Sequence, residues 1–251
     1  MNYVFDLYGT LIDIRTDQTS PALWKALADL YRRYGAVWRP EDMRKRFLET
    51  DAALRAETAR RLETRWPEIR QEEVFRRLYL EAAESPLPET ETDAWLYGIA
   101  SAFRALSMRR IRLFPGVMKM LRGLKEGGNR VYLLSNAQRI FTLPEIRYLG
   151  LIPCFDAMVI SSDHGLCKPD PRLLEGLIRD CGLDPEETVM IGNEPGSDMG
   201  IAARCGVGGV LFNSGALTAD EIRRGLEDAV GHEKARAFLP GMRVIRRWRD
   251  L

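Results

Sequence analysis

The sequence predicts an α/β protein: a three-layer, Rossmann-like core built on a parallel sheet, carrying a smaller all-helical cap domain. Three observations lead there. Short apolar runs that end in small polar or charged residues recur along the chain, as "YVFD" near residue 5, "RVYLLSN" near 133, "AMVISSD" near 160, "TVMIGN" near 190 and "VGGVLFN" near 210. Such runs suit strands buried on both faces. Between the later runs lie segments of helical spacing, "GVMKMLRGLKEGG", "DPRLLEGLIRDCG" and "DMGIAARCG", each closing at or near a glycine that can end a helix. The stretch from about Gln18 to Ser107 has a different texture, rich in Arg, Glu, Ala, Leu and Trp at helical spacing and without a convincing strand. The expected division is a core of residues 1–16 and 108–251 and a helical insertion of residues 17–107.

Composition narrows the function classes. Among 251 residues, 37 basic and 36 acidic side chains leave a net charge of +1. No bulk field therefore favours nucleic acid or an anionic membrane, and a small molecule is the expected partner. Cys154, Cys167, Cys181 and Cys205 show no C-x-x-C spacing, which argues against a zinc knot or a disulfide framework. His164 and His232 are the only histidines, so a histidine-rich metal site or a Ser-His-Asp triad has little to be built from. The first residues lack a basic segment followed by a long apolar one, and nowhere do eighteen apolar residues run together. A cytoplasmic protein is expected, with no membrane partner.

In parallel sheets of this kind the ligand site lies beyond the carboxyl ends of the strands. The residues just after the runs are Asp6, Ser135, Lys168 and the group Asn193, Glu194, Asp198. Singly, each is explained by turn or cap chemistry. Together they put a carboxylate, a hydroxyl, an ammonium and an acidic cluster at successive strand ends. A strand-end carboxylate can attack a phosphoryl or alkyl centre and be released by water, splitting one hard displacement into two easier ones. Phosphoryl transfer also needs compensating donors, here Ser135, nearby backbone N–H groups and Lys168.

In this order and spacing the residues resemble the four motifs of the haloacid dehalogenase-like hydrolase superfamily. "DLYGTL" is similar to the first motif, with Asp6 as nucleophile and Gly9 and Thr10 in the turn; "LLSNA" carries Ser135, "CKPDP" carries Lys168, and "IGNEPGSD" is similar to the fourth. The resemblance implies a helical cap between the first and second motifs, where residues 17–107 lie, and leaves no room for a second cap between Ser135 and Lys168. It also implies an aspartyl-enzyme intermediate and, in phosphatases, a magnesium ion. Asp6, the backbone carbonyl of Tyr8, Glu194 and Asp198 are the expected ligands, with Tyr8, Thr10, Ser135, Asn136 and Lys168 around the substrate. In the fourth motif, Glu194 stands where a G-N-D-x-x-x-D subgroup has its first aspartate. Glutamate reaches one methylene further, a difference that magnesium's strict geometry, at about 2.0–2.1 Å, can feel.

Tyr8 departs from the phosphatase pattern, in which the second residue after the nucleophile is another aspartate that protonates the leaving alcohol and later activates water. Tyrosine is a poor base at neutral pH. Three readings follow. The first is a slow, magnesium-dependent phosphatase of a small metabolite, its proton role passed to water, to the substrate, or to Asp13 or Asp17. The second is a metal-independent 2-haloacid dehalogenase, since D-x-Y-G-T resembles those enzymes and halide leaves unprotonated; Arg39 or Arg44 would then hold the anionic substrate. The third is a binding module without turnover.

Other features carry plainer expectations. Trp24, Leu27, Tyr31 and Tyr34 recur at helical spacing and read as cap core. His164 reads as incidental and Cys167 as without a role, while Asn136 and Gln138 suit either substrate contact or a turn. "TADEIRRGLEDAVGHEKARAFL" reads as one amphipathic helix with a capping box between Thr218 and Glu221. The basic ending "GMRVIRRWRDL" could dock on the core or support a homodimer rather than a monomer, and is too short to favour nucleic acid.

Overall fold

The computed structural model describes residues 1–85 and 89–251, with backbone only at 89–91. Six parallel strands form the main sheet: β1 (Asn2–Phe5), β4 (Arg130–Ser135), β5 (Ala157–Ile160), β6 (Thr188–Gly192), β7 (Gly208–Phe212) and β8 (Arg243–Ile245). Their order is β5-β4-β1-β6-β7-β8, which puts β1 between β4 and β6. Successive side chains of a strand face opposite ways, and the core divides accordingly. Val4, Tyr132, Leu134, Met190 and Leu211 enter one apolar layer, with Leu174 and Leu177 of α7 (Arg172–Cys181) and Leu226 of α9 (Ala219–Val230). Phe5, Val131, Leu133, Ile191 and Phe212 enter the other, with Val117 and Leu121 of α5 (Val117–Glu126) and Ile146 of α6 (Arg139–Tyr148). Burial on both faces is why these strands read as continuous apolar runs.

The insertion consists of α1 (Pro21–Arg32), α2 (Pro40–Arg61), α3 (Gln71–Ala82) and α4 (Glu89–Ser107), packed around an apolar cluster of their own. Trp24, Leu27 and Tyr31 are buried in it as their spacing predicts, while Tyr34 stays exposed at its edge, against Trp95. Phe103 and Phe47 stack in its centre, and Phe103 also stacks on Phe141 of α6, so this cluster continues onto the sheet domain.

Three parts of the structure depart from the sequence expectation. An antiparallel ribbon of β2 (Ile12–Thr16) and β3 (Met108–Leu113) carries the chain into and out of the helical insertion. Its strands are only half buried and interleave charged with apolar residues, so they lack the continuous apolar run that marks the main sheet. The predicted tail helix divides: the Thr218–Glu221 capping box forms as expected, but Gly231, at φ +83°, ends α9 and starts α10 (His232–Phe238). The basic ending contributes β8 at the sheet edge, and Trp248 buries its ring against Phe212 and Phe5.

Candidate active site

The site is built where β1, β4 and β6 end side by side. Asp6 follows β1 directly, its N–H donating to Ile191 O at 2.8 Å, so the nucleophile candidate is held by sheet geometry. The chain then turns at Gly9, whose φ is +83°. A Cβ there would sit 2.6 Å from the Asn193 amide, so backbone and close approach both call for glycine. Thr10 donates from Oγ1 to Asp6 Oδ2 at 2.9 Å and lies 3.0 Å from Asn193 Oδ1. Ser135, closing β4, donates to Asp6 Oδ1 at 3.3 Å.

Lys168 is the centre of the electrostatics. Its ammonium has three hydrogens and uses them all, on Asp6 Oδ1 and Asp198 Oδ1 at 2.7 Å each and on Leu134 O at 2.8 Å. Burial by itself would lower the lysine's pKa, but the charges of Asp198 and Asp6 outweigh it, so the ammonium is held protonated. Asn136 sets its backbone, accepting from Lys168 N at 2.7 Å and donating to Lys168 O at 3.2 Å. Two carboxylates thus share one ammonium. Burial, and next the negative charge of Asp6, push the Asp198 carboxyl up to about 6 against the pull of Lys168.

Asp198 reaches this place because Gly192 has no side chain: a Cβ on it would lie 2.1 Å from Asp198 Oδ2. The turn of Pro195–Met199 folds the carboxylate back so that Oδ2 accepts from Glu194 N at 2.9 Å. That same turn directs the Glu194 side chain outward, where it is exposed and accepts from Ser197 Oγ at 2.8 Å. The expected ligand Glu194 is therefore not brought to Asp6; Asn193, a neutral carboxamide, takes the position facing it. Among the described residues no group of three His, Cys, Asp or Glu side chains is arranged to hold a metal ion. The residues that do face one another are one carboxylate bridged through Thr10 to one amide, with the second carboxylate engaged by Lys168 and a backbone N–H. This donor set does not fit a magnesium ion in the way the sequence led one to expect. Replacing Asn193 by Asp should supply the missing charge: isothermal titration of Asn193→Asp with magnesium is expected to show binding at least about tenfold tighter than that of the unsubstituted chain.

Tyr8 turns to a different partner. Its hydroxyl donates to Glu145 of α6 and lies 3.1 Å from Thr142 Oγ1. Arg104, near the end of α4, grips Glu145 with Nε to Oε1 at 2.5 Å and a second nitrogen to Oε2 at 3.2 Å, and lies over the Tyr8 ring. Burial, and then the charge of Glu145, raise the phenol's pKa well above its ordinary value, so Tyr8 keeps its proton. The residue standing in the acid/base position is a strut tying the nucleophile loop to α6 and to the helical insertion.

Nothing in the sequence singles out Arg104, Thr142 and Glu145, since each lies inside a helix, away from the strand ends and outside the motifs. Other expectations resolve cleanly. Arg39 and Arg44 are exposed. Asp13 is paired with Arg110 and Arg112 in the ribbon, and Asp17 with Thr19 and Arg109, so neither takes over the proton role from Tyr8. His164 is exposed, and burial followed by the charge of Glu68 pushes the Cys167 thiol up to about 12, which leaves it unreactive. Gln138 bonds the α2–α3 loop, donating to Ile69 O at 2.9 Å and accepting from Gln71 N at 2.8 Å.

A carboxylate at the end of a strand within the sheet, flanked by a hydroxyl and a buried lysine, is consistent with a hydrolase site. The sequence comparison agrees: the family described as haloacid dehalogenase-like hydrolase matches residues 2–206, and the chain belongs to it. A glyceraldehyde 3-phosphate phosphatase of Methanothermobacter thermautotrophicus is 34% identical over 110 residues, 44% of this chain and 49% of that one. A phosphoserine phosphatase of Thermus thermophilus is 30% identical over 155 residues, 62% and 59% of the two chains. The matches thus span about half the length of these relatives. Among solved structures, a 2-haloacid dehalogenase from Pseudomonas syringae pv. Tomato superposes with a TM-score of 0.62 at 23% identity, over 96% of each chain, which shows a shared fold. No helix among the described residues is long and apolar enough to cross a membrane.

Proposed function

We propose that this chain hydrolyses a phosphate monoester of a small metabolite through an acyl phosphate on Asp6, beneath a cap formed by residues 17–107. The observation that carries the reading is the pairing of Asp6 with Lys168, Ser135 and Thr10 at the end of the central strand. The phosphatases among the relatives support the choice of substrate class. Asp6 attacks phosphorus, the bond to the leaving oxygen breaks, and Lys168 and Ser135 hold the anionic group. With Tyr8 holding its proton, the alkoxide takes its proton from water or from the substrate itself, and the step is slow. Bonding to phosphorus removes the charge of the Asp6 carboxylate, which leaves Lys168 to pair with Asp198 as its remaining carboxylate. Water then attacks phosphorus and restores the carboxylate. Magnesium, the expected cofactor of the phosphatase reading, would find Asp6 and the Asn193 amide but too few carboxylates, so none of these steps is assigned to it.

Tyr8 and Asn193 favour a second reading, displacement of halide from a 2-haloacid. Halide leaves without a proton and the reaction needs no metal, so both departures would be at home there. The two readings differ in where water enters. A single turnover in water labelled with oxygen-18 should put the label in released phosphate under the first reading, and in the side chain of Asp6 under the second, because water there attacks the ester carbon. Phosphate release with and without magnesium and EDTA, run beside halide release, identifies the reaction to be labelled. Turnover that persists in Asp6→Asn would overturn both.

A further inference from the structure

Residues 62–70, between α2 and α3, are bonded to the loop that leads into Lys168: Glu68 N donates to Gly165 O at 3.0 Å, and Cys167 N donates to Trp66 O at 2.8 Å. Within this segment one buried side chain reaches further than the backbone does. Glu68 is 5% exposed, and both oxygens of its carboxylate are engaged. Oε1 accepts from Arg55 at 3.0 Å and from Ile69 N at 2.9 Å. Oε2 accepts from Ser161 Oγ at 3.0 Å and from Cys167 Sγ at 3.4 Å.

Ser161, directly after β5, is fully buried and passes the link on, because its Oγ accepts from Ala137 N at 2.8 Å. The single hydroxyl hydrogen has two acceptors in reach, Glu68 Oε2 and Ala137 O, each at 3.0 Å. A carboxylate is the stronger acceptor, and Ala137 O already receives Ser162 N at 3.2 Å, so the hydrogen goes to Glu68. All four partners of Glu68 are then donors. An ionised carboxylate can take a hydrogen on either oxygen, whereas an amide would have to turn its own NH2 toward two of them.

These bonds close a ring around the two loops that carry Ser135 and Lys168. Ala137 stands two residues after Ser135, and Cys167 one residue before Lys168. Asn136 joins the same loops from within, accepting from Lys168 N at 2.7 Å and donating to Lys168 O at 3.2 Å. Glu68 joins them from the side of the helical insertion. We infer that Glu68 is a positioning residue, whose carboxylate fixes the spacing of the Ser135 and Lys168 loops through Ser161 and Cys167. The inference rests on the proposed attack by Asp6 and holds for either leaving group. Glu68 touches no reacting atom.

The test compares Glu68→Gln, which keeps the shape but not the four acceptor sites, with Ser161→Ala and the double variant, on phenyl phosphate and on 2-chloropropionate. In Glu68→Gln kcat is expected to fall about tenfold while KM changes less than about twofold, because slightly misplaced donors lose most in the transition state. The double variant should lose no more than the larger single loss, since both changes break one chain of bonds. An unchanged kcat in folded Glu68→Gln would overturn the inference and leave Glu68 as a fastening for the insertion; losses that multiply in the double variant would also overturn it. Amide hydrogen exchange reads the same clamp without turnover. The Ala137 and Lys168 N–H groups should exchange at least about tenfold faster in Glu68→Gln, while Asp6 N–H, bonded to Ile191 O, keeps its protection. If the unsubstituted protein turns over neither compound, it is the proposed reaction that fails. Exchange then decides about Glu68 alone: protection unchanged at Ala137 and Lys168, or lost equally at Asp6, would reject the positioning role.

Discussion

Asp6→Asn is expected to abolish turnover while leaving the protein folded and slightly more stable. The loss should be at least about a thousandfold, as for other removed nucleophiles, because the amide cannot form the covalent intermediate. The gain in stability follows from the charge count around Lys168. The native site holds two carboxylates against one ammonium, with Nζ 2.7 Å from each. Neutralising Asp6 leaves a simple Lys168–Asp198 pair and removes the negative charge that helps push Asp198 up. A gain on the order of 1 kcal/mol is expected, in keeping with the usual opposition between active-site charge and stability. Urea denaturation beside a turnover assay checks both halves. An inactive variant that is also less stable would contradict the electrostatic account while sparing the nucleophile.

Lys168→Met should have the opposite effect on stability. Methionine fills much the same space but leaves Asp6 and Asp198 buried without their counter-ion, a change that costs about 3–5 kcal/mol. The penalty should depend on pH in a defined sense. A carboxyl whose pKa is higher in the folded than in the unfolded chain binds more protons when folded, so stability falls as pH rises through that interval. In the native protein the interval for Asp198 runs from 3.8 to about 6. Without the ammonium the pull that lowers Asp198 is gone, so the variant should approach native stability near the lower end and be most destabilised above about pH 6. Urea midpoints measured across that range test this. A penalty independent of pH would mean that lost packing, rather than unpaired charge, is responsible. Turnover should be lost at every pH, since no other buried cation contacts Asp6 among the described residues.

The predictions rest on parts of the molecule that were unequally visible beforehand. The strands of the main sheet could be read because burial on both faces demands unbroken apolar runs, as in Tyr3–Phe5 and Val131–Leu134. Their carboxyl ends then located Asp6, Ser135, Lys168 and Asp198 without any knowledge of packing. The helical insertion was equally legible from its 3.6-residue spacing. The ribbon β2–β3 and the edge strand β8 were not, because half-exposed strands that interleave charged with apolar residues carry no continuous apolar run.

By itself, then, the sequence determined the layers, the strand ends and the identity of the nucleophile candidate, because these depend on local periodicity and on position relative to a strand. Only the tertiary structure decided which neighbours the strand-end side chains meet. It turned Glu194 outward and Asn193 inward, a choice made by the Pro195–Met199 turn and by the absence of a side chain at Gly192. It converted Tyr8 from an apparent gap in the chemistry into a strut, through Arg104 and Glu145, which lie 96 and 137 residues further along the chain. Hydrogen-bond partners of this kind are set by where whole helices come to rest, and no local pattern in the chain encodes that.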